Sequence, residues 1–263
     1  MICTTIWGAV GAAFLLAGDP SPNASPAAAA VTHVVLIGGF DSDPTPAQLN
    51  GTAKRGVGNS GMYQLRGDLL RRNLSADYFN WNGTAAGHIN DDNPPGAAVI
   101  VQHIRRHVRE HPSCRLGLVG NSMGGHTAWE VCEQLDRGEP RVSVKLLVLL
   151  DPSSSVRVQE VKRPEKLPAN VEAGVQYASR NIVIWRPLPD EKRILNIDLA
   201  DPQHGFLRPG GPNYAAVFDP NAHIGAEWDD RIHADICRRL WGEAMPSQGD
   251  CTITDLPNRT SSR

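Results

Sequence analysis

Residues 116–125 read LGLVGNSMGG, and this stretch decides the fold class of the chain. Its first half is apolar and typical of a short buried strand, whereas the segment that follows, Thr127–Leu135, is typical of a helix that ends at a glycine and a proline. Between the two lies the pattern Gly120-x-Ser122-x-Gly124. A serine held between two glycines at a strand-to-helix turn is the pattern of a nucleophile elbow.

The spacing of this pattern has a physical reason. The chain must reverse from strand to helix within about three residues, so Ser122 is expected to sit in a strained conformation on the turn. Glycines two positions away on either side remove side chains that would collide there. The hydroxyl then points out of the backbone, and the sequence predicts Ser122 as a nucleophile. The alternative is a tight glycine turn with an idle serine.

The rest of the chain alternates apolar strands with amphipathic helices. The predicted elements are strand Val34–Phe40, a helix marked by Met62, Leu65 and Leu69, strand Asp77–Trp81, helix Ala97–Val108, the strand and helix around Ser122, strands Val144–Leu150, Asn181–Trp185 and Ile194–Leu199, and helix Glu227–Trp241. Such alternation predicts an α/β fold with a mostly parallel central sheet flanked by helices on both faces.

A carboxylate ends the most apolar strand of the sequence. Asp151 follows Val144–Leu150 directly, and Pro152 prevents the strand from continuing. Because catalytic groups in open α/β sheets lie beyond the carboxyl ends of strands, Asp151 is the predicted acid. A carboxylate that only caps a loop is the alternative. Asp190 and Asp201, in proline-bearing loops, and Asp198, expected to face solvent, compete for the role.

A serine hydroxyl needs a base within hydrogen-bond reach, and in an elbow fold the histidine follows the acid along the chain. Three histidines meet this condition: His204, His223 and His233. His223 is predicted to lie in a loop before the last helix, where it could reach over the edge of the sheet. It is therefore the predicted base, with His204 and His233 as alternatives.

Acyl transfer also requires donors for the developing oxyanion. The backbone amide of Met123, directly after the predicted nucleophile, is one. The second is expected after the first apolar strand, which ends in Gly38-Gly39-Phe40. We predict the amide of Phe40, with Gly39 as the alternative donor. A simple strand-ending turn is the alternative interpretation of these glycines.

Together, these motifs and their order resemble the α/β-hydrolase superfamily over the segment from about Val31 to Trp241. Gly39-Phe40 and Leu150-Asp151-Pro152 are similar to the corresponding motifs of lipases of the pancreatic type. The resemblance implies hydrolysis of a carboxylic ester, in an esterase or lipase, through an acyl-serine. In many members the acid follows the next strand, which keeps Asp190 as an alternative. An acyltransferase on the same fold, or a binding protein without turnover, stays open.

Composition narrows the range of partners. The net charge is −2 and no basic block occurs, which gives no reason to expect nucleic acid or anionic lipid, so a small-molecule ester is the predicted partner. The predicted chemistry calls for no cofactor and no metal. His103, His107 and His111 recur at helical spacing, but arginines lie among them, and we interpret these histidines as a solvated polar face rather than as metal ligands.

The ends of the chain differ from its centre. Residues 1–30 contain the apolar run Ile6–Gly18 followed by small residues, which predicts a signal peptide and hence an exported, periplasmic or secreted protein, or else a disordered leader of a cytoplasmic one. Thirteen apolar residues are too few for a stable membrane span. Residues 31–245 are predicted to form one catalytic domain and residues 246–263 a tail.

The remaining expectations concern cysteines and the surroundings of Ser122. Cys237 could pair with Cys251, whereas Cys114 and Cys132 are predicted to lie too far apart for a disulfide. The polar segment Pro152–Arg180 could form a small cap. Three aromatic side chains could either line a substrate pocket or pin a long loop to the sheet. These are Phe206, Tyr214 and Phe218.

Overall fold

A computed structural model describes residues 31–40, 42–82, 96–154, 164–189 and 192–242. In chain order the elements are β1 (His33–Gly38), α1 (Pro46–Leu49), α2 (Gly61–Arg71), β2 (Ser75–Asn80), α3 (Gly96–Glu110), β3 (Leu116–Asn121), α4 (Met123–Arg137), β4 (Val144–Leu150), β5 (Val171–Ala178), β6 (Ile194–Asp198), α5 (Pro220–Trp228) and α6 (Asp230–Trp241). The predicted leader, the tail, Asp190 and Cys251 lie outside the described residues.

Six parallel strands form one sheet in the order β2-β1-β3-β4-β5-β6. The chain runs outward from β1 to β2 and then returns to the other side of β1 to form β3. The segments that follow β1 and β3 therefore leave the carboxyl edge of the sheet in opposite directions, and this reversal opens a crevice between them. The nucleophile elbow follows β3, so Ser122 lies at this crevice.

Each face of the sheet is covered by helices, which confirms the predicted fold class. Because side chains alternate along a strand, Val34 and Leu36 of β1 belong to a core shared with α2, α5 and α6. Val35 and Ile37 belong to the opposite core, shared with α3 and α4. All four side chains are fully buried. In the described part of the chain, no helix combines the length and the apolar character that a membrane crossing requires.

The prediction for the fifth strand was wrong. Asn181–Trp185 forms a turn, in which the amide of Ile184 donates to the carbonyl of Asn181 at 3.2 Å. The strand is instead β5, within the segment that the sequence had marked as a polar cap. A polar residue inside β5 explains the error, because the buried Gln176 interrupts the apolar pattern and is satisfied by donating to the carbonyl of Trp185 at 2.9 Å.

The predicted last helix, Glu227–Trp241, is two helices that meet at Asp229. This residue is extended, with φ of −75° and ψ of 112°, and its carboxylate accepts a hydrogen bond from the amide of Arg231 at 2.9 Å. Asp219 begins α5 in the same way, by capping the amide of Asn221. Both aspartates are N-caps, and the one at Asp229 also marks the end of α5. The prediction that His223 lies in a loop was therefore wrong, because His223 lies in the first turns of α5.

Candidate active site

Ser122 occupies the strained conformation that the elbow requires, with φ of 54° and ψ of −125°. Backbone hydrogen bonds with β4, with α4 and with the segment after β4 hold it there. Its amide donates to the carbonyl of Leu150 at 3.0 Å, and its carbonyl accepts from the amides of Gly125 at 2.9 Å and Ser153 at 3.0 Å. The surrounding backbone thus stabilises a conformation that a non-glycine residue rarely adopts.

The glycines of the elbow are needed for space. A Cβ atom on Gly120 would lie 2.3 Å from the carbonyl oxygen of Gly124, and one on Gly124 would lie 2.3 Å from the carbonyl oxygen of Ile37. Both neighbours are backbone atoms that cannot move aside cheaply. The spacing of the sequence motif therefore allows α4 to start directly against the end of β1.

Three of the predicted site residues form one hydrogen-bonded relay. The hydroxyl of Ser122 lies 2.8 Å from Nε2 of His223, and Nδ1 of His223 lies 3.2 Å from Oδ2 of Asp151. The relay joins the end of β3, the end of β4 and helix α5. With the histidine proton on Nδ1, the ring donates to Asp151 and its Nε2 accepts from Ser122, which is the arrangement in which an imidazole can act as a base.

The carboxylate of Asp151 is completely buried, and both of its oxygens accept hydrogen bonds. Oδ1 accepts from the amide of Ser179 at 2.5 Å, and Oδ2 accepts from the hydroxyl of the same residue at 2.8 Å. The amide of Asp151 donates to the carbonyl of Tyr177 at 2.8 Å. A buried charge is tolerated only with such partners. The end of β5, which the sequence did not predict, therefore fixes the carboxylate that faces His223.

The charge state of His223 is set by its two carboxylate neighbours. Burial favours the neutral ring, but the hydrogen bond and the charge of Asp151 and the charge of Glu227 outweigh that effect, so the pKa of His223 is raised above its ordinary value. An imidazole whose pKa is raised accepts a proton from a hydroxyl more readily. The same partners stabilise the imidazolium that forms when it does so.

Glu227 is a buried residue of the site that the sequence analysis missed. It lies one turn after His223 on α5, and its carboxylate accepts from the amide of Met62 at 3.1 Å and from the hydroxyl of Ser42 at 3.4 Å. Burial raises the pKa of this carboxyl, while the amides of Met62 and Gly61 oppose the shift. Glu227 thus ties α5 to the start of α2 and to the segment that follows β1. Glu227 follows His223 by four residues in the sequence. This spacing places the two residues on the same side of a helix, but the sequence analysis did not place His223 in a helix.

The predicted oxyanion donors lie in the two segments that adjoin Ser122. Met123 is the first residue of α4, where backbone N–H groups have no partner within the helix. Gly39, after β1, packs directly against the nucleophile, because a Cβ atom there would lie 2.8 Å from Cβ and 3.4 Å from Oγ of Ser122. Phe40 is the next residue, and its side chain is exposed. The end of β1 therefore lies directly against the side chain of Ser122.

A methyl group at Gly39 is expected to disturb the nucleophile without unfolding the protein. Gly39→Ala places Cβ against the Ser122 side chain, so we expect kcat/KM for an ester to fall by about 10- to 100-fold, since small misplacements at a reacting centre carry costs of this size. The matched control is Gly67→Ala on α2, where only the mobile end of Arg71 is near. Steady-state kinetics and thermal melting of both variants make the comparison. Unchanged kcat/KM in a folded Gly39→Ala protein would contradict the expected crowding of Ser122.

The competing acids that the structure describes have other partners. Asp198 ends β6 and pairs with Arg180 at 2.8 Å, and Asp201 accepts from the amide of Gln203 at 2.9 Å as the cap of a short 3₁₀ turn. Neither contacts a histidine of the relay. Asp190 lies outside the described residues.

The competing histidines also lie away from Ser122. His204 is exposed and contacts the carbonyl of Asp198 at 2.8 Å. His233 is buried in α6, and its Nε2 lies 2.8 Å from the carbonyl of Glu227. Of the three histidines that follow Asp151 along the chain, only His223 contacts the serine.

Two of the three aromatic side chains pin the loop between β6 and α5. Phe206 is buried against Tyr177, and Tyr214 is fully buried with its hydroxyl donating to Asp229 at 3.0 Å. Phe218 is 79% exposed. The pocket-lining alternative therefore applies to Phe218 alone.

Cys114 and Cys132 form no disulfide, as predicted, while the pairing of Cys237 with Cys251 involves a residue outside the described ranges.

The parallel sheet has Ser122 after β3, Asp151 after β4 and His223 on α5. This is the arrangement of the α/β-hydrolase fold, which the sequence motifs predict. No protein-family model matches the sequence, and no curated protein matches it. Solved structures do resemble the fold.

One similar structure, from Xanthomonas campestris, is assigned to the alpha/beta hydrolase superfamily, with 17% identity, a TM-score of 0.39 and coverage of 79% of this chain and 98% of that one. The catalytic core domain of acetyl xylan esterase from Trichoderma reesei has 15% identity, a TM-score of 0.39 and coverage of 81% and 98%. A cutinase-like protein from Cryptococcus sp. has 13% identity, a TM-score of 0.38 and coverage of 84% and 98%. Likenesses at this level assign no reaction to this chain.

Proposed function

We propose that this protein is a serine hydrolase of carboxylic esters that works through an acyl-serine intermediate. The observation that carries the proposal is the relay in which His223 lies 2.8 Å from Ser122 and 3.2 Å from the buried Asp151. In it, Ser122 is the nucleophile, His223 the general base and Asp151 the group that orients the imidazole.

The proposed reaction has two halves. As the oxygen of Ser122 bonds to the ester carbonyl carbon, its proton passes to Nε2 of His223, and that proton then goes to the departing alkoxide as the carbon–oxygen bond breaks. Water attacks the acyl-serine in the second half, giving a proton to His223, which returns it to the serine. The product acid and the free enzyme result. Asp151 keeps its charge throughout and stabilises the imidazolium.

Backbone amides at the elbow support the same chemistry. The amide of Met123 at the start of α4, together with that of Phe40 or Gly39 after β1, would stabilise the negative oxygen that develops on the carbonyl. The start of a helix also carries partial positive charge. These groups are part of the scaffold, so they need little reorganisation when the charge appears.

Three exposed apolar side chains lie next to residues of the site, or a few residues from them, along the chain, and they favour an ester with an apolar part. Phe40 follows the loop that contacts Ser122, Ile224 follows His223, and Phe218 lies just before α5; their exposed fractions are 65%, 54% and 79%. Side chains of this kind can cover an acyl or alcohol group and remove it from water. Hydrolysis of apolar esters is therefore part of the proposal.

The proposal is tested with p-nitrophenyl esters of increasing acyl length, together with a fluorophosphonate probe. We expect ester turnover and stoichiometric labelling of the folded protein. A folded protein that neither turns over esters nor takes the label would overturn the proposal and favour a binding function. Formation of a new ester when an alcohol is added, at the expense of free acid, would instead favour acyl transfer.

The pH dependence follows from the raised pKa of His223. The base must be neutral to accept a proton, so kcat/KM is expected to fall as the pH falls through that pKa, with a midpoint above the ordinary histidine value of about 6.5. Glu227→Gln removes a negative charge that favours the imidazolium, so it lowers this pKa and shifts the acid limb to lower pH. Profiles of kcat/KM between about pH 5 and pH 9 show the shift.

The control for this profile is Glu133→Gln, on the exposed surface of α4, where Glu133 pairs with Arg137. It is expected to leave the acid limb in place. An acid limb that stays where it is in Glu227→Gln, or moves to higher pH, would count against the electrostatic coupling of Glu227 to His223.

A further inference from the structure

A second cluster of titratable side chains lies at the end of the sheet opposite the relay. It consists of His33, the first residue of β1, Asp77 of β2 and His103 of α3. The register pairs His33 with Ser75, so His33 and Asp77 point to the same face of the sheet, the face that α3 covers. One ligand atom from each residue lies within 4.8 Å of the others.

The distances within this cluster suit a small divalent ion. Nε2 of His103 lies 2.7 Å from Oδ2 of Asp77, and Nε2 of His33 lies 3.4 Å from the same oxygen. Tetrahedral zinc bonds to nitrogen and oxygen at about 2.0–2.2 Å, which separates its ligand atoms by about 3.3–3.5 Å. The pair with His33 already has this separation, and His103 needs to retreat by only about 0.6 Å to reach it.

His33 supplies an independent reason to expect a ligand. Its side chain is 3% exposed, and its Nε2 makes no hydrogen bond although it points at a carboxylate. Its other nitrogen, Nδ1, lies 2.9 Å from the hydroxyl of Ser75. A donor bond from Nδ1 to a neighbouring oxygen is the usual way in which a protein fixes the tautomer of a metal-binding histidine, leaving the Nε2 lone pair for the metal.

We propose that His33, Asp77 and His103 form a binding site for a divalent transition metal, with Zn²⁺ as the best fit. Two imidazoles and one carboxylate are a ligand set that zinc accepts, and the fourth position is left to water. The side chains of Asp77 and His103 are 37% and 33% exposed, so the ion can enter from solvent. This proposal differs from the interpretation of the sequence, in which His103 belongs to a solvated polar face of α3 and binds no metal.

Among the described residues, the arginines of α3 form no hydrogen bond or ion pair with the cluster. Arg105 extends to the carbonyl of Glu139, beyond the end of α4, while Arg106 and Arg109 are exposed. The bound ion would link β1, β2 and α3. Because β1 spans about 20 Å between His33 and the loop that contacts Ser122, the proposed role is structural and not catalytic.

Two further histidines of the same helix could compete for a metal ion. His107 stacks on His33 with ring centroids 3.8 Å apart, and His111 lies one turn further, 4.6 Å from His107. Two histidines at this spacing can also bind a metal from one helix face. The test must therefore separate the cluster of His33, Asp77 and His103 from the pair formed by His107 and His111.

The test is a competition for Zn²⁺ between the full chain and a chromophoric chelator. We expect one equivalent to bind the wild type, with affinity at least about tenfold weaker in Asp77→Asn and in His103→Ala, and unchanged in His111→Ala and in the exposed His204→Ala. No zinc binding by the wild type would overturn the proposal. Equal binding by wild type and His103→Ala, or a loss in His111→Ala without a loss in Asp77→Asn, would also overturn it.

Thermal melting keeps the test informative if a variant folds less stably. Since a ligand that binds only the folded state stabilises it, Zn²⁺ is expected to raise the Tm of the wild type and of His111→Ala. The rise should be clearly smaller in Asp77→Asn, whatever the starting Tm of that variant is. An equal rise in Asp77→Asn would place the ion elsewhere and contradict the proposed site.

Discussion

Replacing Ser122 by alanine is expected to lower kcat for ester hydrolysis by at least about 10⁴-fold, because the variant has no oxygen with which to form the acyl intermediate. The side chain of Ser122 makes no hydrogen bond that caps α4, and the strained backbone is held by main-chain bonds to its neighbours. The fold should therefore persist. Steady-state kinetics with a p-nitrophenyl ester, beside circular dichroism of the same sample, measure both effects.

The matched control is Ser143→Ala, an exposed serine that bonds to Glu172 far from the carboxyl edge of the sheet. Its turnover should equal that of the wild type. If folded Ser122→Ala kept ester hydrolysis within a few fold of the wild type, the nucleophile would have to be another residue.

Asp151→Asn is expected to lower kcat by about 10³- to 10⁴-fold, the loss typical of a catalytic acid changed to its amide. The amide NH₂ can face Nδ1 of His223 only if that nitrogen accepts, so the proton moves to Nε2 and the ring can no longer accept from Ser122. KM should change much less. Measuring kcat and KM separately for this variant distinguishes a loss of base catalysis by His223 from a loss of substrate binding.

Two other aspartate variants decide whether Asp151 is the acid. Asp198→Asn, at the end of β6, removes only an exposed pair with Arg180 and is expected to keep activity close to that of the wild type. Asp190→Asn tests the alternative that the sequence left open. A large loss in Asp190→Asn, combined with a small one in Asp151→Asn, would reverse the assignment.

The strand whose bounds the sequence predicted in full is buried on both faces, chiefly by apolar side chains. β4 is a run of Val and Leu interrupted by one lysine, and its bounds match the prediction. β5 was missed because a glutamate, a glycine and the buried Gln176 break its pattern, and each is explained only by a neighbouring element. The break between α5 and α6 was missed because a single residue, Asp229, caps the second helix.

The residues of the relay could be chosen from the sequence because chain order and strand ends limit the choices. Ser122 and Asp151 follow strands whose apolar character is strong, and His223 was the favoured histidine after them. Glu227 could not be found in this way, because its role depends on the contact of α5 with the start of α2. The cluster around Asp77 likewise joins residues 33, 77 and 103, which only the sheet register and the packing of α3 bring together.

The proposed activation of Ser122 by His223 is tested most directly by locating the fluorophosphonate adduct and measuring how fast it forms. Peptide mass spectrometry of the labelled protein is expected to place the adduct on Ser122, and His223→Ala should slow its formation by at least about 10³-fold in a protein that remains folded. An adduct on another residue, or labelling of His223→Ala at the rate of the wild type, would contradict the proposed mechanism.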